Sequence, residues 1–203
     1  MRSQCLSGQE AATMREAVKE KYRAVSKQPA DRFSYPVGRG SALSLGYEPG
    51  VIESISPEVV ERFVGVGNPF TQRQPRQGER VLDAGCGAGL DTFVASALVG
   101  SRGSAVGVDL TPEMLEVARR ALAHWPLENV QFRETSVEDL PFEDEAFDLV
   151  FSNGALNLVP DKDAAFRELC RVLRPGGHFI AVDLLVDDAV SEDVLAGKDA
   201  WSN

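Results

Sequence analysis

From residue 80 onward, short apolar runs alternate with amphipathic segments whose apolar positions recur at helical spacing. Short apolar runs bounded by turn residues predict buried strands, and the segments between them predict helices. The first strand begins at Val81, and the others are expected at Ser104–Val108, Val130–Arg133, Phe147–Phe151 and Gly177–Val182. Such alternation predicts an α/β fold with a doubly wound parallel sheet of strand order 3-2-1-4-5.

The connecting helices are expected at Leu90–Val99, at Pro112–Leu122 after a Thr111 cap, and at Lys162–Leu173. A last helix is expected from about Ser191 through Trp201.

The amino-terminal part has a different pattern. An amphipathic helix is expected from Gln9 to Ser26, followed by an irregular but ordered segment over residues 28–50. Ser56 and Pro57 are typical of a helix start, and that helix would run to about Val64. We therefore expect two units, an amino-terminal helical and irregular cap at 1–77 and a catalytic-type domain at 78–203.

A glycine-rich turn follows the first strand. Glycines at 85, 87 and 89 allow left-handed backbone and let the chain approach a ligand closely, as in a nucleotide-binding strand, turn and helix. A dinucleotide fingerprint needs a further glycine where this chain has Leu90, which argues against a nicotinamide cofactor. Asp83 precedes the turn and Asp109 ends the second strand, so both carboxylates are placed to hold the hydroxyls of an adenosine ribose.

Charge and cysteine content limit the classes of partner that this chain is expected to bind. A net charge of −10 without a Lys/Arg cluster makes a nucleic-acid backbone binder unexpected. The three widely spaced cysteines and two histidines predict neither a metal site nor a disulfide framework. No signal peptide or apolar membrane span is apparent, so a cytoplasmic protein that does not bind membranes is expected. Cys86 and Cys170 are both interpreted as buried.

Three segments, Val81–Gly89, Val106–Leu115 and Phe147–Asn153, resemble in order and spacing the motifs of class I S-adenosylmethionine-dependent methyltransferases. The resemblance implies a Rossmann-like fold with S-adenosylmethionine as cofactor. It places the methionine moiety, ribose, adenine and transferred methyl group beside a set of candidate residues: Gly85, Cys86, Gly87, Asp109, Leu110, Val137, Glu138 and Asn153. Asp83, Gly89 and Met114 complete the candidate cofactor-binding set, with a core role as the alternative for Met114.

A second resemblance, to the arsenite methyltransferases, extends over almost the whole chain. It rests on Phe33–Arg39, Leu45–Tyr47, Gly65–Phe70, Gly107–Met114 and Ser152–Leu158. That family binds trivalent arsenic through cysteine thiolates. The position after Ser-Asn of the fourth strand is Gly154 here, the segment before the glycine-rich strand has no cysteine, and the third thiolate would lie beyond residue 203.

The resemblance also implies a carboxyl-terminal antiparallel hairpin for which this chain has no room, so a carboxyl-terminally incomplete copy is expected. We predict an S-adenosylmethionine-dependent methyltransferase that acts on a small acceptor other than arsenite, with no catalytic residue identified. The alternative is a non-catalytic cofactor-binding or interaction module, and a nicotinamide oxidoreductase comes third. The cap is expected either to cover the cofactor, through Tyr35, Tyr47 and Phe70, or to pack behind the sheet.

Overall fold

The computed structural model describes residues 8–29, 32–126 and 128–184. Five parallel strands, β1 to β5, form one sheet of order β3-β2-β1-β4-β5 within these residues. They span Arg80–Ala84, Ser104–Asp109, Val130–Glu134, Phe147–Asn153 and Leu173–Val182. The predicted fold class and strand order are therefore confirmed, and the order reverses between β1 and β4, where open α/β sheets bind ligands.

Helices cover both faces of the sheet, because its central strands are apolar on both sides. In chain order α1 to α7 span Gly8–Lys27, Gly38–Ser44, Pro49–Ser54, Pro57–Val60, Leu90–Val99, Pro112–Leu122 and Lys162–Val172, with short 3₁₀ turns at Pro69–Thr71 and Leu156–Leu158. Val81 on β1 packs with α5, α6 and the amino-terminal helices, whereas its neighbour Leu82 packs with α7. The alternation along one strand thus divides the core into two layers.

The amino-terminal segment is more helical than expected. The predicted first helix is confirmed as α1, but the segment predicted to be irregular contains α2 and the start of α3. Helix α4 ends at Val60 rather than near Val64, because the amides of Arg62 and Phe63 bond the carbonyls three residues back, those of Val59 and Val60, at 3.1 Å. The Phe63 carbonyl then accepts a hydrogen bond from Gly38 N at 2.7 Å. Ser56 precedes α4, yet its side chain makes no capping hydrogen bond.

The carboxyl-terminal edge also differs in detail. Strand β5 begins at Leu173, four residues before the predicted start, because the segment between Leu173 and His178 forms an irregularity opposite Phe147 and Leu149. Cys170 is exposed on α7, which corrects the expectation of a buried thiol. The helix expected from Ser191 lies outside the described residues. In the part of the chain that the structure describes, no helix is long and apolar enough to cross a membrane.

Candidate functional site

The glycine-rich turn is held tightly against the end of β2. The amides of Gly85 and Cys86 both donate to the Val108 carbonyl at 2.9 Å. Gly85 has a φ of 83°, and a side chain there would collide with the Ala155 methyl group. The sequence therefore needs glycine at this position both for the backbone angle and for the close approach of two loops.

Asp109 is fixed in place by backbone amides at the end of β2. Its Oδ2 accepts from Gly87 N and its Oδ1 from Thr111 N, both at 2.8 Å. Burial raises the pKa of Asp109, and these two hydrogen bonds act in the opposite direction. Since each carboxylate oxygen can accept more than one hydrogen bond, Asp109 keeps acceptor capacity for ligand hydroxyl groups.

A cavity of about 980 Å³ of empty space, its open mouth included, lies over this end of the sheet. Ten of the eleven predicted cofactor-binding residues line it: Asp83, Gly85, Cys86, Gly87, Gly89, Asp109, Leu110, Val137, Glu138 and Asn153. Met114 is the exception, because its side chain is fully buried in the core. The structure therefore gives Met114 the core role and does not bring it to the cavity.

Glu138 is already engaged by the amino-terminal helix. Its carboxylate accepts two hydrogen bonds from the Arg15 guanidinium, at 2.7 and 3.0 Å, and others from Ser136 Oγ and Asp161 N. Although burial favours the protonated acid, these partners hold the pKa of Glu138 below its usual value. Glu138 thus closes this end of the cavity as an ion pair with α1, a role that its place after β3 did not indicate.

Asn153 uses its amide within the protein. Its Oδ1 accepts from Val66 N at 2.9 Å, and its Nδ2 donates to the Gly67 carbonyl at 2.8 Å and to Asp91 Oδ2 at 2.9 Å. The Tyr47 hydroxyl donates to the other oxygen of Asp91 at 2.5 Å. Two segments before β1 are therefore tied to the end of β4 by one buried polar network.

Two buried carboxylates lie close to each other beneath the turn. Asp83 accepts from Thr92 Oγ1 at 2.6 Å, and both burial and the nearby charge of Asp91 raise its pKa well above the usual range. Burial raises the pKa of Asp91 to about 6, while the hydrogen bonds from Tyr47 and Asn153 lower it. The charge of Asp91 therefore changes close to neutral pH.

Cys86 lies at the cavity wall but is not activated. Burial raises the pKa of its thiol well above the usual value, and the carboxylates of Asp83 and Asp109 add to the rise. Because the thiolate is the nucleophile and the metal ligand, this environment disfavours both functions.

Several lining residues were not predicted. Arg15, Val18 and Tyr22 of α1, together with Phe63 and other residues after α4, cover the cavity. The aromatic residues expected there, Tyr35, Tyr47 and Phe70, do not line it; Tyr47 and Phe70 are buried behind its wall. A stripe of apolar residues on a helix predicts which face is buried but not the surface against which that face packs. Asp91, in contrast, could have been noticed from the sequence as a charged residue inside an apolar helix.

Residues 75–202 match the model of a methyltransferase domain family. The chain belongs to this family. It is 39% identical over 156 residues to an arsenite methyltransferase of Halobacterium salinarum, an alignment that covers 77% of this chain and 40% of the relative. An arsenite methyltransferase of Aquipseudomonas alcaligenes is 34% identical, covering 91% and 56%.

Among solved structures, the arsenic(III) S-adenosylmethionine methyltransferase CrArsM from Chlamydomonas reinhardtii is 35% identical with a TM-score of 0.62, covering 83% of this chain and 57% of that one. The chain spans about half the length of the curated relatives that it matches. The expected resemblance and Rossmann-like fold are confirmed, and the family implies S-adenosylmethionine as cofactor.

Proposed function

We propose that this chain binds S-adenosylmethionine in the cavity over β1, β2 and β4 and takes part in methyl transfer to a small organic acceptor. The observation that carries the proposal is Asp109, whose carboxylate is oriented by Gly87 N and Thr111 N at the cavity wall. A carboxylate held in this way suits the two hydroxyls of a ribose, and the family match makes an adenosyl cofactor the natural ligand.

The residues around Asp109 fit the rest of that cofactor. Leu110 and Val137 supply apolar surface for an adenine ring, and Gly85 and Gly87 present backbone without side chains for the methionine part. Asn153 stands at the other end, where β4 meets the segment after α4. The cofactor supplies an already electrophilic methyl group, so the protein's task is to orient it toward a nucleophile and to exclude water.

Calorimetry with S-adenosylmethionine and S-adenosylhomocysteine tests the proposal directly. The unmodified chain should bind both, and Asp109→Asn should weaken binding by roughly 10- to 100-fold, the loss expected when hydrogen bonds to a charged acceptor are weakened. Asp163→Asn, an exposed carboxylate in the first turn of α7, is the matched control and should bind normally. Absence of binding by the unmodified chain would refute the proposal.

The described cysteines constrain which methyl acceptor this chain can use. Cys86 is the one described cysteine at the cavity, and its raised pKa keeps it protonated, whereas Cys170 is exposed on α7. Capture of trivalent arsenic needs several convergent thiolates. We therefore infer that the acceptor is an organic thiol, amine or carbon nucleophile rather than arsenite; robust methylation of trivalent arsenic by this chain would contradict that inference.

A second candidate is a cofactor-binding module without turnover. This candidate rests on the cavity itself, where Asp109 is oriented for a ribose but the one described thiol, Cys86, is kept protonated. Cofactor binding without methyl transfer to any member of a broad panel of thiols, amines and enolic carbon acids would support this candidate. Transfer to any one of them would eliminate it.

A further inference from the structure

The segment Gly65–Gly67 lies against the end of β4 and is held there by side-chain contacts. Gly65 lines the cavity, and a side chain at this position would collide with the amide nitrogen of Asn153. A Cβ at Gly67 would lie 2.5 Å from Val182 Cγ1. The segment therefore fits closely against the end of β4, and through Gly65 it supplies part of the cavity wall there, opposite the Asp109 side.

Asn153 holds this wall through three backbone groups. Its Oδ1 accepts from Val66 N at 2.9 Å and from Gly67 N at 3.2 Å, while its Nδ2 donates to the Gly67 carbonyl at 2.8 Å. These bonds require the amide to keep one orientation, since exchanging its oxygen and nitrogen would place donors against donors.

Asp91 sets that orientation. Its Oδ2 accepts from Asn153 Nδ2 at 2.9 Å, and its Oδ1 accepts from the Tyr47 hydroxyl at 2.5 Å. Asp91 as a residue is 6% exposed, so water competes little for these bonds. Because a carboxylate only accepts hydrogen bonds, it selects the nitrogen of the amide and leaves the Asn153 oxygen facing the Val66 and Gly67 amides.

We propose that Asp91 is a positioning residue which, through Tyr47 and Asn153, fixes the Gly65–Gly67 backbone and with it the part of the acceptor-side cavity wall that Gly65 forms. The proposal rests on the proposed function only in calling this side the acceptor side. Protonation of Asp91 adds a donor to the network, and so it should loosen the wall. The titratable groups that face Asp91 are the Tyr47 phenol and the Asp83 carboxyl, with Asp109 beyond Asp83.

Amide hydrogen exchange of the intact chain tests the proposal without an acceptor. In Asp91→Asn, exchange at Val66 and Gly67, corrected for intrinsic rates, should be roughly tenfold faster or more, while β1 and β2 keep their protection. The control Asp163→Asn should match the unmodified protein. Unchanged exchange at Val66 and Gly67 in folded Asp91→Asn would overturn the proposal.

The pH dependence of exchange at the same amides distinguishes a positioning role of Asp91 from simple packing. In the unmodified protein, corrected exchange at Val66 and Gly67 should rise as the pH falls through about 6, where Asp91 takes up a proton. Tyr47→Phe removes a donor that favours the carboxylate, so the midpoint of this rise should move to higher pH. A midpoint that does not move would overturn the proposal, and this variant serves equally if Asp91→Asn does not fold.

Calorimetry on the same samples keeps the two proposals distinct. If the unmodified chain binds no S-adenosylmethionine but the exchange results are as expected, the proposed function fails while the positioning role of Asp91 stands. If the cofactor binds and exchange at Val66 and Gly67 does not change in Asp91→Asn, the proposed function stands and the positioning role of Asp91 fails.

Discussion

The buried carboxyl of Asp91 should make the stability of this protein fall as the pH rises toward neutral. Its pKa is raised from 3.8 to about 6 by burial, against the opposing effect of hydrogen bonds from Tyr47 and Asn153. Between the two values the folded state binds more protons than the unfolded state, so the free energy of unfolding decreases as pH rises and the contribution is lost above the folded-state pKa.

The size of the pKa shift of Asp91 sets the size of the change in the free energy of unfolding. One pKa unit corresponds to about 1.4 kcal/mol, so ionisation of Asp91 should lower the free energy of unfolding by about 3 kcal/mol between roughly pH 4 and pH 7. Asp91→Asn removes this titration but also alters the hydrogen bonds of Tyr47 and Asn153 at every pH. The informative quantity is therefore the pH dependence of the difference between the two proteins, rather than the difference at one pH.

Chemical denaturation at several pH values between 4 and 7.5 measures that quantity. The unmodified protein should lose stability relative to Asp91→Asn as the pH rises, with most of the change complete by about pH 7. Asp163→Asn should differ from the unmodified protein by less than about 1 kcal/mol across this range, since Asp163 is exposed in the first turn of α7. Parallel curves for the unmodified protein and Asp91→Asn would refute the reasoning, because they would mean that Asp91 titrates alike in both states.

Three other predictions concern the packing beneath the cavity, the ion pair at its wall and the reactivity of the thiols. Gly107→Ala should destabilise the fold by about 1–3 kcal/mol in a denaturant titration, because its Cβ would lie 2.8 Å from Cys86 Sγ. Arg15→Gln should speed amide exchange in α1 and raise the pKa of Glu138, followed by carboxyl NMR, because Glu138 loses its cationic partner. Iodoacetamide should label Cys170 well before Cys86, as mass spectrometry can show, because burial keeps the Cys86 thiol protonated.

The two substitutions each have a control within the chain. Gly50→Ala has open space around the new methyl group and lies in α3, so it should not lower stability and should raise it by at most about 1 kcal/mol. Arg39→Gln breaks an exposed ion pair with Glu53 and should leave α1 and Glu138 unaffected. Stability unchanged in Gly107→Ala, an unmoved Glu138 pKa in Arg15→Gln, or labelling of Cys86 ahead of Cys170 would each contradict the corresponding prediction.

The sequence by itself determined the sheet and the part of the site that lies on it. Apolar runs and glycine turns report local conformation, and parallel strands bring their carboxyl ends to one edge, so Asp83 and Asp109 were placed near a ligand by their positions around the turn, and Asn153 by the family resemblance. The early start of β5 was missed because pairing with a distant segment, Leu173 beside Phe147, decides where that strand begins. The end of α4 was missed because bonds to carbonyls three residues back replace the helical ones after Val60.

Only the tertiary structure decided which groups are left for a ligand. Glu138 and Asn153 were expected to face the cofactor, yet Arg15 engages the first, and the second binds Asp91 and the Val66 backbone. These partners lie 62 to 123 residues away along the chain. A hydrogen bond depends on atoms meeting within about 3 Å. Sequence spacing fixes such distances within one helix or strand but not between segments brought together by folding.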